Sequence, residues 1–199
     1  MTTERRQYRI IFTEPILGTS PMDPEIYSSF IGSKAPDAAS LEEEIDALGA
    51  DAIVERGTTV FPRDPAGNPI LWDYQIKGFF KDSCGMLGRL KDKTESAKLK
   101  AFKKIIDGLI FVYPRQIALT CGEMGICQRP LRAQTAQGER VALSSSEELS
   151  AGTQAVIEIE SYDPALWPAI EEWLNYGAAR GIGQWRNSGK GRFTWEELK

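Results

Sequence analysis

Apolar positions recur along this chain with two periods, and the changes of period mark its elements. Tyr8–Phe12 (YRIIF) is a β-type run, ended by Glu14-Pro15 and Gly18. Two helix signals follow. Asp23-Pro24 places an acceptor at the N-cap and proline at the first helical position. Ser40 with Glu43 three residues on forms a capping box that stops at Gly49. Residues 23–49 are thus expected to be an acidic helical insertion. Thr58–Arg63 and Pro69–Asp73 flank the turn DPAGN and predict a β-hairpin. Asp73 then caps a helix in which Ile76, Phe79, Phe80, Cys84, Leu87 and Leu90 keep i, i+3, i+4 spacing. A second helix is expected over Thr94–Asp107, with Leu99, Phe102, Ile105 and Ile106 inward and a lysine-rich outer face.

Strands are expected at 109–114 and 116–120. The stretch GEMGICQRPLRAQTAQGERVALSS reads as irregular, with a strand only at Val141–Leu143. AVIEIESY (155–162) alternates strictly, as a half-buried strand does. Asp163-Pro164 opens an amphipathic helix through Leu166, Ile170, Trp173 and Leu174, and a last strand, RFTWEEL, ends the pattern. Loosely alternating strands and helices, with no internal repeat or linker, make this one α+β domain over residues 1–199. The helical spacing assigns Phe79, Phe80, Phe102, Trp167 and Trp173 to the core.

Between the last helix and the last strand stands GIGQWRNSGKGRF. It holds Gly181, Gly183, Gly189 and Gly191 together with Arg186, Lys190 and Arg192. Glycine gives up much backbone entropy on folding, so such a cluster implies tight turns or a ligand close to the backbone. Charge changes the picture further. The chain carries a net −4, yet residues 70–140 hold 13 cations and 7 acids, while residues 1–69 hold 6 and 12. A basic middle third beside a basic loop would give a positive face on an acidic body.

Composition excludes several chemistries. There is no histidine, so no imidazole acid–base catalysis, Ser-His-Asp triad or His-containing zinc site. Cys84, Cys121 and Cys127 are an odd set without CxxC, as in a reducing cytoplasm. MTTERRQYRIIF contains no apolar run suited to a signal peptide, and no stretch approaches the roughly 20 apolar residues of a membrane span. The expectation is a cytoplasmic protein with no membrane partner and no cofactor.

Four segments, in order, resemble one family. YQIKGFFKD is similar to the helix-opening pattern of the RAMP superfamily, the RNA-binding proteins that build CRISPR effector backbones. Lys77-Gly78 stand at its Lys-Gly and Lys81 at its Arg. TEPILGTSP resembles its early strand and glycine, and EELSAGTQAVIEIES its Gly-Thr strand start, with Gly152-Thr153 matching. GAARGIGQWRNSGKGRF resembles its C-terminal glycine-rich loop. The resemblance implies a ferredoxin-like, RRM-type antiparallel sheet with two packing helices, at about 73–90 and 164–180. It also implies an RNA-binding role, on single-stranded or guide RNA, alone or beside other protein subunits in an oligomer or filament. The length fits a stand-alone or virus-encoded relative.

Two readings stay open for each candidate. The loop glycines can free successive amides as a nest for phosphate, with the three cations as counter-charge and Trp185 as a stacking face; or the loop is a turn with Trp185 capping the core. Lys77, Gly78 and Lys81 are a positive gripping surface or a solvated helix face, Gly78 permitting close backbone approach. Asp23, Glu25 and Asp37 are helix caps and solvated acids, or the metal-binding acids of an RNase. The first reading is a non-catalytic RNA binder. The alternatives are a phage or mobile-element protein that imitates or blocks a defence component or captures a signal nucleotide, and a metal-dependent RNase.

Overall fold

The computed structural model describes residues 3–21, 58–91, 93–120, 122–135 and 138–199, those at 21, 131–135 and 138–143 through their backbone alone. The expected helical insertion at 23–49 lies outside the described residues. Two compact units form. One comprises Met1–Ile16, Pro62–Glu123 and Leu149–Lys199, the other Leu17–Phe61 and Met124–Glu148.

The first unit is built on β1 (Glu4–Phe12), β5 (Ile70–Trp72), α1 (Asp73–Leu87), α2 (Glu95–Lys98), α3 (Phe102–Leu109), β6 (Ile110–Tyr113), β7 (Gln116–Thr120), β10 (Gln154–Ser161), α4 (Trp167–Arg180) and β11 (Phe193–Leu198). Its sheet runs β11-β1-β10-β7-β5, with β6 also on β10. The pairings of β1 with β10 and β11, and of β10 with β6 and β7, are antiparallel. Strand, helix, strand, strand, helix, strand along the chain (β1, α1, β6, β10, α4, β11), set side by side as β11-β1-β10-β6, is a ferredoxin-like core. β1 stands in the middle of the sheet, with β10 on one side and β11 on the other.

Period 2 explains which face of the sheet is covered. Tyr8, Ile10 and Phe12 of β1 and Ala155, Ile157 and Ile159 of β10 are buried, and Gln7, Gln154 and Val156 between them are exposed. The helices lie on the buried face. In α1 the stripe Ile76, Phe79, Phe80, Ser83 and Cys84 is buried, and in α4 the stripe Trp167, Ile170, Trp173, Leu174 and Gly177. Phe80 meets Trp173 at 5.4 Å between ring centroids, and Phe79 meets Phe193 of β11 edge-on at 5.3 Å. Burial of Tyr8 pushes its hydroxyl up to about 12.

Four expectations are corrected. The single helix over Thr94–Asp107 is two, α2 and α3, broken where Ala101 turns left-handed at φ 53°. Thr94 caps α2 as a helix start should, accepting from the Ala97 amide at 3.1 Å. A tertiary contact also pins the first turn of α2. The Glu172 carboxylate of α4 accepts from the amides of Glu95 and Ser96 and from the Ser96 hydroxyl. Phe102, now the first residue of α3, is only half-buried. Leu90 lies past the end of α1 in a 3₁₀ turn and is exposed. Finally, Asp73 is the first helical residue of α1; the cap is Trp72, whose amide donates to the Gln75 side chain at 2.8 Å.

The second unit contains β3 (Ser20–Pro21), β4 (Thr59–Val60), β8 (Met124–Thr135) and all of β9 (Gly138–Leu149) but its last residue. Its five-stranded sheet runs β2-β9-β4-β3, β2 being Ile16–Leu17, with β8 also on β9. The stretch expected to be irregular is therefore two 12-residue strands. The adjacent Ser145 and Ser146 are both buried, so burial does not alternate there and the period-2 signal is lost. The hairpin turn at 64–68 forms, with Ile70 donating to the Pro62 carbonyl at 2.9 Å. Its expected strands do not pair with each other beyond the Arg63–Pro69 bridge: β4 pairs with β3 and β9, and β5 with β7.

Candidate nucleic-acid interface

The segment joining α4 to β11 takes its shape from its glycines. Gly181, Gly183, Gly189 and Gly191 all have positive φ. Two of them are required by close backbone approach. A Cβ on Gly191 would lie 1.8 Å from the Ile182 carbonyl oxygen, and one on Gly181 would lie 2.5 Å from that of Lys190. The Ile182 amide donates to Gly191 O at 2.9 Å and the Gly191 amide to Pro15 O at 2.8 Å. The loop is therefore closed across its base and tied to the turn after β1. The amides of Gly181 and Gly189 also donate within the chain, to Gly177 O and Arg186 O. These four amides serve the fold, and the chemistry of the loop falls to its side chains.

Between the closed ends, Trp185 turns left-handed at φ 54° and is 40% exposed. Arg180, Gly183, Trp185, Arg186 and Asn187 line a shallow pocket of about 260 Å³. Asp82 of α1 sets its electrostatics. Arg180 grips Asp82 with two nitrogens, Nε at 2.7 Å from Oδ2 and Nη2 at 3.3 Å from Oδ1, and Arg186 Nη1 reaches Oδ2 at 2.8 Å. One carboxylate thus fixes two guanidiniums, and the cluster carries a net single positive charge. The Arg180 hydrogen bond holds the Asp82 carboxyl below its usual range, against a smaller upward push from burial. Arg180 also reaches Asn187 Oδ1 at 3.4 Å.

Lys77 and Lys81 lie on another flank of α1, as residues one and five positions from Asp82 must on a helix of 3.6 residues per turn. Both converge on Asp107 of α3. Lys77 Nζ donates to the Asp107 carbonyl at 3.2 Å and sits 5.0 Å from the centroid of Phe111; Lys81 Nζ lies 2.5 Å from Asp107 Oδ1. Burial lowers the Lys77 ammonium from its ordinary value. Gly78 is exposed, and among the described residues a Cβ there would meet nothing within 4 Å. Lys91, Lys93, Lys98, Lys100, Lys103 and Lys104 are exposed. Lys190 is half-buried and Arg192 exposed.

The structure thus gathers Trp185 and Arg186 of the expected site into one pocket and sets Lys77 and Lys81 apart from it. Sequence reasoning missed Asp82 and Arg180. A cation in the last turn of a helix is explained by the helix dipole alone, which hides Arg180. Asp82 carried no signal beyond its place beside Lys81. Asp23, Glu25 and Asp37 lie outside the described residues. Among the described residues no three acidic, cysteine or histidine side chains come together as a metal site, and no helix is long and apolar enough to cross a membrane.

No family model matches this sequence, and comparison with curated proteins finds no match. Among solved structures, the fold is similar to a chain in the cryo-EM structure of the Type III-B Cmr-beta bound to cognate target RNA. The TM-score is 0.55 at 10% identity, over 99% of this chain. This chain spans 61% of the length of that one. It also aligns with Cmr6 from Pyrococcus furiosus at a TM-score of 0.48 and 10% identity, over 98% of this chain and 99% of that one. At such identity the likeness is one of fold, an α+β chain with a ferredoxin-like core.

Proposed function

We propose that this chain is a non-catalytic, CRISPR-associated RNA-binding protein of the RAMP type, which grips the phosphate backbone of single-stranded or guide RNA beside other protein subunits. The observation that carries this reading is the loop pocket. Two guanidiniums held in place by Asp82 stand beside a half-exposed indole, which suits a phosphate next to a stacked base. The fold shared with a Cmr-beta chain bound to target RNA supports it, as do the four RAMP-like segments. Lys190 and Arg192 extend the positive charge along the strand, and the exposed lysines of α2 and α3 add a sequence-independent attraction. The glycines hold the loop in shape, and its cations do the binding.

Fluorescence anisotropy with a labelled single-stranded RNA, at several salt concentrations, tests the reading. Arg186→Ala, Lys190→Ala and Arg192→Ala are each expected to weaken binding about threefold to tenfold and to flatten the log–log salt slope by about 0.7. Trp185→Ala should cost affinity with the slope unchanged, because stacking releases no counterions. Charge variants that bind as the wild type does, or a wild type that binds no RNA at low salt, would overturn the proposal. The same RNA is expected to stay intact through prolonged incubation with magnesium or manganese. Cleavage products on a gel, lost in Asp23→Ala or Asp37→Ala, would instead establish the metal-dependent RNase.

A further inference from the structure

Where β5 runs into α1, an exposed aromatic ring, Tyr74, lies stacked on a half-buried one, Trp72. Trp72 is the last residue of the strand and Tyr74 the second of the helix, so the chain changes from period 2 to period 3.6 between them. Their ring centroids are 6.2 Å apart and their planes within 11° of parallel. The edge-on pairs of the core differ: Tyr8–Trp195 cross at 74°, Phe12–Phe193 at 68° and Phe79–Phe193 at 66°. Tyr74 is 58% exposed, the most exposed aromatic reported among the described residues. The Arg115 guanidinium lies 5.9 Å from the Trp72 ring centroid, and its Nη1 stands 3.9 Å from Asp73 Oδ2.

The backbone beneath these rings is pinned on all sides. The Trp72 amide donates to Gln75 Oε1 at 2.8 Å, the Tyr74 amide to Asp73 Oδ1 at 2.8 Å, and the Asp73 amide to the Arg115 carbonyl at 3.1 Å. In register, Trp72 stands opposite Gln116, on the face of the sheet away from the helices. Gln116 is also on the wall of a groove of about 570 Å³ on that face, lined with Gln7, Tyr113, Ala118, Thr120 and Glu158 among others. The amides and hydroxyl around it are donors and acceptors of the kind that meet base edges.

We propose that Trp72 and Tyr74 form a stacking platform for one unpaired nucleobase of single-stranded RNA, with Arg115 meeting the adjoining phosphate. This rests on the RNA-binding reading above and adds a second anchor to it, away from the glycine loop. An exposed ring already stacked on one face offers its other face to a base at little further entropic cost, because its backbone is fixed. The guanidinium beside it supplies the charge that the flanking phosphate needs. The platform tolerates any base, since every base has a π-face.

The test uses the full chain and a short single-stranded RNA carrying 2-aminopurine at successive positions. In the wild type one position should lose fluorescence on binding, as the base stacks. Tyr74→Ala should abolish that quenching and weaken binding about tenfold with the salt slope unchanged. Tyr74→Phe should keep both within about twofold, because the ring and not the hydroxyl does the stacking. Arg115→Ala should flatten the slope by about 0.7. Tyr74 is exposed, so the variants should melt with the wild type, and near-UV circular dichroism checks the fold. If the wild type binds RNA and Tyr74→Ala binds and quenches equally, the platform is overturned while the RNA-binding reading stands. If the wild type binds no RNA at low salt, both fall together.

Discussion

Gly191→Ala is expected to lower the melting temperature of this protein by about 6–12 °C, as a loss of roughly 3 kcal/mol does in a chain of this size. Two effects add. At φ 71° an alanine leaves its preferred backbone region, which costs about 1 kcal/mol. Its Cβ would also stand 1.8 Å from the Ile182 carbonyl oxygen, a backbone atom with no side-chain freedom to yield. Making room means lengthening the Ile182–Gly191 hydrogen bond or the Gly191–Pro15 one, and overpacking of this kind costs about 1–3 kcal/mol. Gly67→Ala separates the two effects. Gly67 has φ 87° in the turn before β5, and a Cβ there meets nothing within 4 Å. It should lose only the conformational part, about 1 kcal/mol. Thermal melts of both variants decide the matter. Equal losses would mean that Gly191 serves its backbone angle alone and that the closed loop base adds nothing. RNA binding by Gly191→Ala at temperatures where it stays folded should also weaken, since the loop then lacks its fixed base.

The difference between these two glycines was not legible in the sequence, because proximity across a loop base depends on two chain segments meeting. What was legible is what depends on period and caps. The strands of the core, α1 and α4 follow from alternation and from i, i+3, i+4 stripes, and the ferredoxin-like sheet with two packing helices follows from the resemblance. The break at Ala101 was hidden because no glycine or proline marks it. The strands β8 and β9 were hidden because paired buried serines do not alternate. The site divides in the same way. Trp185 and Arg186 were found from loop composition. Asp82 and Arg180 were missed because an ion pair between two helices has no sequence spacing. Lys77 and Lys81 were found by spacing, yet their charge is directed at Asp107.

Asp82→Ala is expected to weaken RNA binding about threefold to tenfold even though it removes a negative charge beside the proposed phosphate site. By charge alone the variant should bind more tightly, by the modest amount an exposed ion contributes in water, about 0.2–1 kcal/mol. Against this, Asp82 holds Arg180 and Arg186 in one geometry, and each long side chain that must be ordered on binding costs about 0.5–1.5 kcal/mol. With two such side chains the ordering cost exceeds the charge gain. The salt slope of the variant should stay the same or steepen, which distinguishes lost preorganisation from a lost phosphate contact. Tighter binding would show that the carboxylate only opposes RNA. Stability should fall as well, by about 2 kcal/mol, because a partly buried bidentate pair and a second arginine lose their acceptor. The pH dependence gives an independent reading. The Asp82 carboxyl titrates below its ordinary 3.8 in the folded chain, so its contribution is complete above that value and is lost as pH falls through the lower folded one. The melting temperatures of wild type and Asp82→Asn should therefore differ by a constant amount from neutral pH to about pH 5, and converge below pH 4. A gap that stayed constant into that acid range would mean that Asp82 does not titrate against the two arginines, and the pinned pair would no longer account for the pocket.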